Sequence, residues 1–152
     1  MSKVKYLCFT GMFCFACSAK KQSFDEMYED LCTHSLLETS ADELVLELSN
    51  GSHPIIMDAR EFQEFNVSHI PTAIYVGYSN PDWSCLDTIA KERKVYVYCS
   101  VGYRSEKIGE RIQAKGYNKV HNLKGGIFNW ANLGYTLADA QQDSTKKLHG
   151  YS

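Results

Sequence analysis

The chain of 152 residues lacks the features that mark several common classes of protein. It has no run of basic residues, and its formal net charge is −2, so we expect no nucleic-acid partner. No Cys-x-x-Cys pair occurs outside an apolar stretch at the N-terminus, so the cysteine spacing indicates no zinc site. Internal repeats are absent as well. We expect neither a metal nor a cofactor.

In other respects the composition is that of an ordinary globular protein. Hydrophobic residues make up 44% of the chain and charged residues 22%. A chain of this length buries about two thirds of its unfolded surface, which is enough for one domain with a sizeable core. We expect one domain and a monomer.

The N-terminal segment has the pattern of a secretory signal. Lys3 and Lys5 precede eleven uncharged residues, from position 6 to position 16, and small residues stand at the end of this stretch. Eleven residues rise only about 16 Å as a helix, too short for a bilayer core of about 30 Å. A buried N-terminal helix is the alternative, although the stretch has no polar face. We therefore predict a signal peptide over residues 1–16.

The bond between Ala16 and Cys17 is the expected cleavage site. The sequence from Cys14 to Cys17 resembles a loose bacterial lipobox, and the same bond also fits an ordinary signal peptidase. We favour lipidation of Cys17, which would hold the protein at a membrane surface through the lipid alone. The protein is then exported, either periplasmic or a membrane-anchored bacterial lipoprotein, with residues 17–35 forming a linker and a short helix.

Helix and strand patterns alternate through the rest of the chain. Apolar residues three and four apart, from Phe24 to Leu31, predict an amphipathic helix capped by Ser23. Ser40 caps a second helix over 41–50, and continuous apolar runs predict strands buried on both faces at 54–58 and 95–98. We further expect helices at 61–65, 82–91, 106–115 and 127–133, strands at 36–37, 73–76 and 119–122, and a frayed polar tail over 138–152. This alternation predicts an α/β domain with a mainly parallel sheet over residues 36–137.

Cys99 directly follows the apolar strand at 95–98. A short loop with Gly102 comes next, and then a segment with a helical pattern. The amides of such a loop and the N-terminus of the following helix favour an anion or a thiolate. Ligands of parallel sheets bind beyond the carboxyl ends of the strands, where Asp58 ends another strand in the same way. Cys99 is therefore the candidate nucleophile.

Four short segments follow one another in the order and at the spacings of a known family. They are Asp58-Ala59-Arg60 with Glu64-Phe65, His69-Ile70-Pro71 with Ala73, Tyr98-Cys99 with Gly102 and Arg104-Ser105, and Gly125-Gly126-Ile127 with Trp130. Together they resemble the rhodanese-like domain over roughly residues 36 to 135. The resemblance implies a central parallel sheet with helices on both faces. In members with an intact cysteine it also implies transfer of sulfane sulfur through a cysteine persulfide.

The resemblance implies a two-step reaction at Cys99. Its thiolate attacks the outer sulfur of a small anionic donor, thiosulfate or a persulfide, and a thiol, cyanide or a protein then accepts that sulfur. Arg104 either contacts the anion or holds the loop carbonyls, and Asp58 is expected to support the loop by bonding its amides or Arg60. The loop residues expected to bind the donor are Ser100, Val101, Gly102, Tyr103, Arg104 and Ser105.

The length and composition of the loop indicate which kind of substrate it can bind. Four residues separate Cys99 from Arg104, one fewer than in the phosphatase relatives of the family, and the smaller ring of amides suits a terminal sulfur. Val101 and Tyr103 make the loop apolar and aromatic. Thiosulfate is therefore expected to be a poor donor, and an organic persulfide or a protein partner is favoured.

Two alternatives to an enzyme stay open. The first is a sulfur carrier or protein-recognition module with little turnover of small molecules. The second is a thiol redox protein that pairs Cys99 with Cys32 or Cys85. His69 and Trp130 are expected to be structural residues.

Overall fold

Five parallel strands form the central sheet in the computed structural model, which describes residues 23–150. They are β1 (Leu37–Thr39), β2 (Ile55–Asp58), β3 (Ile74–Tyr75), β4 (Val95–Tyr98) and β5 (Val120–Leu123). The spatial order is β1-β5-β4-β2-β3, so β4 occupies the centre and β1 an edge. All four pairings are parallel, which confirms the predicted sheet and places every carboxyl end along one edge.

Helices cover both faces of this sheet, and the side chains of β4 pack against helices on each face. Its valines pack in one apolar cluster with Ile108 and Ile112, whereas Tyr96 and Tyr98 face a second cluster with Leu44. A strand buried on both faces explains the uninterrupted apolar run that predicted it. The helices are α1 (Phe24–Leu31), α2 (Ala41–Ser49), α3 (Phe62–Val67), α4 (Tyr103–Ala114) and α5 (Gly126–Asn132).

The first two helices begin where their capping residues predict. Ser23 Oγ accepts the Glu26 amide at 3.1 Å, and the Glu26 carboxylate accepts the Ser23 amide at 2.9 Å. Ser40 and Glu43 form the same reciprocal pair at the start of α2. Such boxes satisfy two amides that the helix itself leaves without partners. Within residues 23–150, none of the helices is long and apolar enough to cross a bilayer.

The helix predicted over 82–91 is wrong in type and length. The segment forms a 3₁₀ helix over Ser84–Thr88. The buried hydroxyl of Tyr117 lies 2.6 Å from the Leu86 carbonyl and 3.0 Å from the Ile89 carbonyl, and its one proton serves one of them at a time. A contact with a residue so distant in sequence is invisible to a periodicity argument.

The helix predicted over 106–115 begins three residues early, at Tyr103. Gly102 takes the N-cap position with a φ of 143°, and its carbonyl accepts the Glu106 amide at 3.0 Å. Only glycine adopts that backbone conformation readily. The active-site loop, residues 99–102, is therefore short, and α4 starts immediately after it.

The polar segment after residue 137 is more ordered than the frayed tail we predicted. Two short strands, β6 (Leu137–Ala138) and β7 (Ser144–Thr145), pair antiparallel. The backbone of Ala138 also exchanges two hydrogen bonds with that of His69, at 2.8 and 2.9 Å. The predicted signal peptide and Cys17 lie outside the described residues, and both stay predictions.

Candidate active site

Cys99 lies at the carboxyl end of the central strand. All four residues of β4 are buried, and only 1% of the Cys99 surface is exposed. The chain leaves the sheet at this residue, passes through three further residues and enters α4. The predicted nucleophile therefore lies deep in the molecule, between the sheet and the start of a helix.

The first two carbonyls of the loop are bound by α5. The amide of Ile127 donates to the Cys99 carbonyl at 2.9 Å, and that of Phe128 donates to the Ser100 carbonyl at 3.2 Å. A Cβ on Gly126 would lie 2.3 Å from the Cys99 carbonyl oxygen, so the close approach of α5 requires glycine. The glycine pair in the sequence thus fixes which way the loop carbonyls point.

The loop presents N–H and O–H groups to the sulfur. The Gly102 amide donates to Cys99 Sγ at 3.1 Å. The hydroxyl of Ser105 lies 3.5 Å from Sγ, 2.9 Å from the Gly102 carbonyl and 2.7 Å from Asn122 Oδ1, and its one proton serves one of these acceptors at a time. A thiolate at Cys99 is stabilised by such donors and by the N-terminus of α4. For the other loop amides, the anion cradle stays a prediction.

Arg104 forms a buried, two-pronged ion pair with Glu64 of α3. Its Nη1 lies 2.7 Å from Oε2 and its Nη2 lies 2.9 Å from Oε1 of the carboxylate. Nη2 also donates to the Ser100 hydroxyl at 2.9 Å. Burial alone would raise the pKa of Glu64, but the hydrogen bonds and charge of Arg104 outweigh it and hold this pKa below its usual value.

These contacts bear on the two roles that the sequence left open for Arg104. The guanidinium holds the loop through the Glu64 carboxylate and the Ser100 hydroxyl, while its contact with the loop carbonyls or with an anion stays a prediction. Glu64 belongs to the first of the four family motifs, but we predicted no role for it from the sequence. Its separation of 40 positions from Arg104 gives no local signal.

Asp58 and Arg60 form a second buried pair beside the loop. The Arg60 side chain donates to the Asp58 carboxylate at 2.6 to 3.1 Å and to the Ser68 carbonyl at 2.7 Å. Both side chains are completely buried. The contact of Asp58 with Arg60 is one of the two we expected, and with Ser68 it ties the end of β2 to the segment between α3 and β3, while support of the Cys99 loop by Asp58 stays a prediction.

The N-terminal helix packs directly on the active-site loop. Tyr28 is fully buried, and a Cβ on Gly102 would lie only 2.4 Å from its ring. Asn122 of β5 contacts both partners, because its Nδ2 donates to the Gly102 carbonyl at 3.0 Å and lies 3.4 Å from the Tyr28 hydroxyl. Sequence reasoning missed both residues as parts of the site, although the 3.6-residue periodicity already placed Tyr28 on an apolar helix face.

An open pocket of about 380 Å³ adjoins Cys99. Besides Cys99 and Arg104, the pocket is lined by Met27, Leu31, Val101, Tyr103 and Phe128. All five of these side chains are apolar or aromatic. Two of them come from α1 and one each from the loop, the start of α4 and α5, so the pocket exists only in the folded chain.

His69 and Trp130, the two residues expected to be structural, are both buried. His69 is buried, stacks on the Phe65 ring at 4.1 Å between centroids, and bonds the Phe65 carbonyl through Nδ1. Trp130 lies in the core, as expected, and donates to the Thr136 carbonyl at 2.9 Å. In the described part of the chain, no group of three or more His, Cys, Asp or Glu side chains could hold a metal ion.

The other two cysteines of the described segment are free thiols. Burial, followed by the charge of Glu106, raises the pKa of Cys32 to about 11. Burial, followed by the charge of Asp82, also raises the pKa of Cys85. A raised pKa lowers the thiolate fraction at neutral pH, so neither thiol has the environment of a reactive cysteine.

Comparison with known proteins identifies one family. The family model described as the rhodanese-like domain matches residues 40–133. A protein named sulfurtransferase from Allochromatium vinosum is 30% identical over 100 residues, which cover 66% of this chain and 92% of that protein. A tRNA uridine(34) hydroxylase from Onion yellows phytoplasma is 30% identical over 95 residues, covering 59% of this chain and 31% of the relative. The chain thus spans about a third of the length of that larger relative.

Solved structures support the fold. The BH2092 protein of Bacillus halodurans superposes with a TM-score of 0.68 at 21% identity, covering 84% of this chain and 93% of that one. At this identity the likeness concerns the fold alone.

Proposed function

The chain belongs to the rhodanese-like domain family, and from that premise we propose that it is a sulfurtransferase whose Cys99 carries sulfane sulfur as a persulfide. The observation that supports this most directly is the orientation of the loop. The Gly102 amide points at Sγ from 3.1 Å, while α5 binds the carbonyls of Cys99 and Ser100. A negatively charged sulfur at Cys99 therefore meets the Gly102 N–H, while the two neighbouring carbonyl oxygens bind to α5.

In the first half of the reaction, the Cys99 thiolate attacks the terminal sulfur of the donor. A new S–S bond forms to Sγ as the bond between that sulfur and the rest of the donor breaks. The rest of the donor leaves with the electron pair, as sulfite when the donor is thiosulfate. The outer sulfur of the resulting persulfide keeps the negative charge it carried in the donor, and the charge of the thiolate leaves with the rest of the donor.

In the second half, an acceptor thiolate or cyanide attacks the outer sulfur. The bond to Sγ breaks, Cys99 regains its thiolate, and the acceptor leaves as a persulfide or as thiocyanate. Every attacking group is already an anion, so the scheme requires no general base at the site. Arg104 serves here as a positioning residue, because its guanidinium is bound by Glu64.

Intact-mass spectrometry of the purified protein tests this proposal. After treatment with thiosulfate or an organic persulfide, we expect a mass gain of one sulfur atom on Cys99 that cyanide removes as thiocyanate. The Cys99→Ser variant is the matched control and should gain nothing. Full transfer activity in that variant would overturn the proposal. Loading of Cys99 without turnover to any small acceptor would instead favour a sulfur carrier.

We also propose that the protein is exported, with lipidation at Cys17. The support is the sequence pattern of residues 1–17 alone. Intact mass of the protein from its native source should show cleavage before Cys17 and an added diacylglycerol group. A native mass that includes residues 1–16 would contradict it.

A further inference from the structure

The pocket beside Cys99 has a wall that lies outside the matched family segment. Residues 40–133 match the family, whereas Met27 and Leu31 belong to α1. With Val101 of the loop, Tyr103 of α4 and Phe128 of α5, these two side chains line a pocket of about 380 Å³. A cavity of this size suits a small organic molecule.

Partly buried polar contacts fix the segment that follows α1 to α4. The carboxylate of Glu106, near the start of α4, accepts the amides of Thr33 and Ser35 at 2.9 Å each. Burial would raise the pKa of Glu106, but these amides outweigh it and lower this pKa, which keeps the carboxylate charged. Together with the Tyr28 ring against Gly102, these bonds set α1 in place over the nucleophile.

The charge around the pocket disfavours a doubly charged inorganic donor. Arg104 is the one charged residue among its described lining residues, and Glu64 already neutralises that charge through two short contacts. A dianion such as thiosulfate would leave water for apolar walls without a cation to compensate it. A donor with a single charge at its reactive sulfur and an apolar organic group would place its charge at the loop amides and its organic group against Met27 and Leu31.

We propose that this pocket selects monoanionic sulfane-sulfur donors that bear an apolar organic group, and that α1 determines this specificity. The proposal rests on the proposed sulfurtransferase function. With an organic thiosulfonate as donor, Cys99 forms an S–S bond to the terminal sulfur and the S–S bond of the donor breaks. The organic sulfinate leaves with the electron pair, and cyanide then removes the sulfur as thiocyanate.

Two donors with the same reactive group isolate the contribution of the apolar part. Benzenethiosulfonate and methanethiosulfonate carry the same charge and differ in the organic group alone. The measured quantity is the ratio of their kcat/KM values, with cyanide as the acceptor. We expect the ratio of benzenethiosulfonate to methanethiosulfonate to exceed 1 in the wild-type protein. It should fall about tenfold in the Met27→Ser/Leu31→Ser double variant, since one lost apolar contact is commonly worth tenfold or more in specificity.

A surface leucine provides the matched control. Leu46 of α2 is 60% exposed and does not line the pocket, so Leu46→Ser should leave the ratio at its wild-type value. An unchanged ratio in the double variant would overturn this inference, and so would an equal fall in the control. Circular dichroism establishes that each variant is folded. Absence of a persulfide on Cys99 with every donor would instead contradict the proposed function itself.

Discussion

Replacing Glu64 with glutamine tests whether the ion pair with Arg104 holds the active-site loop. The carboxylate is completely buried, only 6% of the Arg104 side chain is exposed, and the two contacts measure 2.7 and 2.9 Å. Glutamine has almost the same shape and keeps one oxygen to accept a hydrogen bond. The substitution therefore removes the negative charge while it leaves the packing nearly intact.

The expected loss follows from leaving the guanidinium charge buried. Removing one member of a buried ion pair typically destabilises a protein by about 3–5 kcal/mol. Since the glutamine oxygen retains one bond to Arg104, we expect the lower end, about 3 kcal/mol. At a urea m-value of about 2 kcal/mol per M, the unfolding midpoint should fall by about 1.5 M.

The assay is urea unfolding of the wild type and the variant from pH 7 down to pH 3. The folded-state pKa of Glu64 lies below its usual value, so its ionised form stabilises the folded protein. That contribution is complete above the unfolded-state pKa of about 4.3 and is lost as the pH falls through the lower, folded-state pKa. Glutamine does not titrate, so the difference between the two proteins should shrink toward the acid end.

A surface pair serves as the comparison. Glu110 lies 2.8 Å from Lys107 and is 36% exposed, so Glu110→Gln should change the unfolding free energy by less than about 1 kcal/mol. A loss below about 1 kcal/mol in the Glu64 variant would refute the argument. A larger loss that does not change between pH 7 and pH 3 would also refute it, because it could not come from the charge.

Three further substitutions probe the loop and the core. In Gly102→Ala the added Cβ would lie 2.4 Å from the Tyr28 ring, and alanine would have to keep a φ of 143°. We therefore expect a loss of about 1–3 kcal/mol in urea unfolding and slower persulfide loading. Loading at the wild-type rate would contradict the tight packing. Asn122→Ala removes the 3.0 Å bond to the Gly102 carbonyl, which keeps the Glu106 amide, and also the 2.7 Å acceptor of the Ser105 hydroxyl; we expect a loss of about 1 kcal/mol for each lost bond in the same assay, and an unchanged stability would contradict this. Trp130→Ala opens a cavity in the core and should cost about 3–5 kcal/mol, with Leu133→Ala, at a half-exposed position on the same helix end, as a near-neutral control in thermal unfolding.

The features that the sequence predicted well are those with local causes. The serine caps located the starts of α1 and α2, because a capping box involves residues only three positions apart. The apolar run before Cys99 located β4, because a strand buried on both faces needs apolar residues at every position. The alternation of strand and helix patterns indicated the parallel sheet, which the strand pairings confirm.

The features that the sequence missed depend on contacts between distant segments. The pair of Arg104 with Glu64 joins residues 40 positions apart, and no periodicity encodes it. The segment expected to be a helix over 82–91 contacts the distant Tyr117 hydroxyl through the carbonyls of Leu86 and Ile89. The pairing of Ala138 with His69 gave structure to a segment whose polar composition indicated none.

By itself the sequence determined the setting of the candidate nucleophile, since Cys99 follows a strand and precedes a helix for reasons that lie within a dozen neighbouring residues. It also determined that the loop is short and apolar. The tertiary structure alone decided what surrounds the sulfur. It brought α1 over the loop through Glu106 and placed the carboxylate of Glu64 against Arg104. Whether a pocket is apolar and neutral depends on which distant side chains meet there, and only packing brings them together.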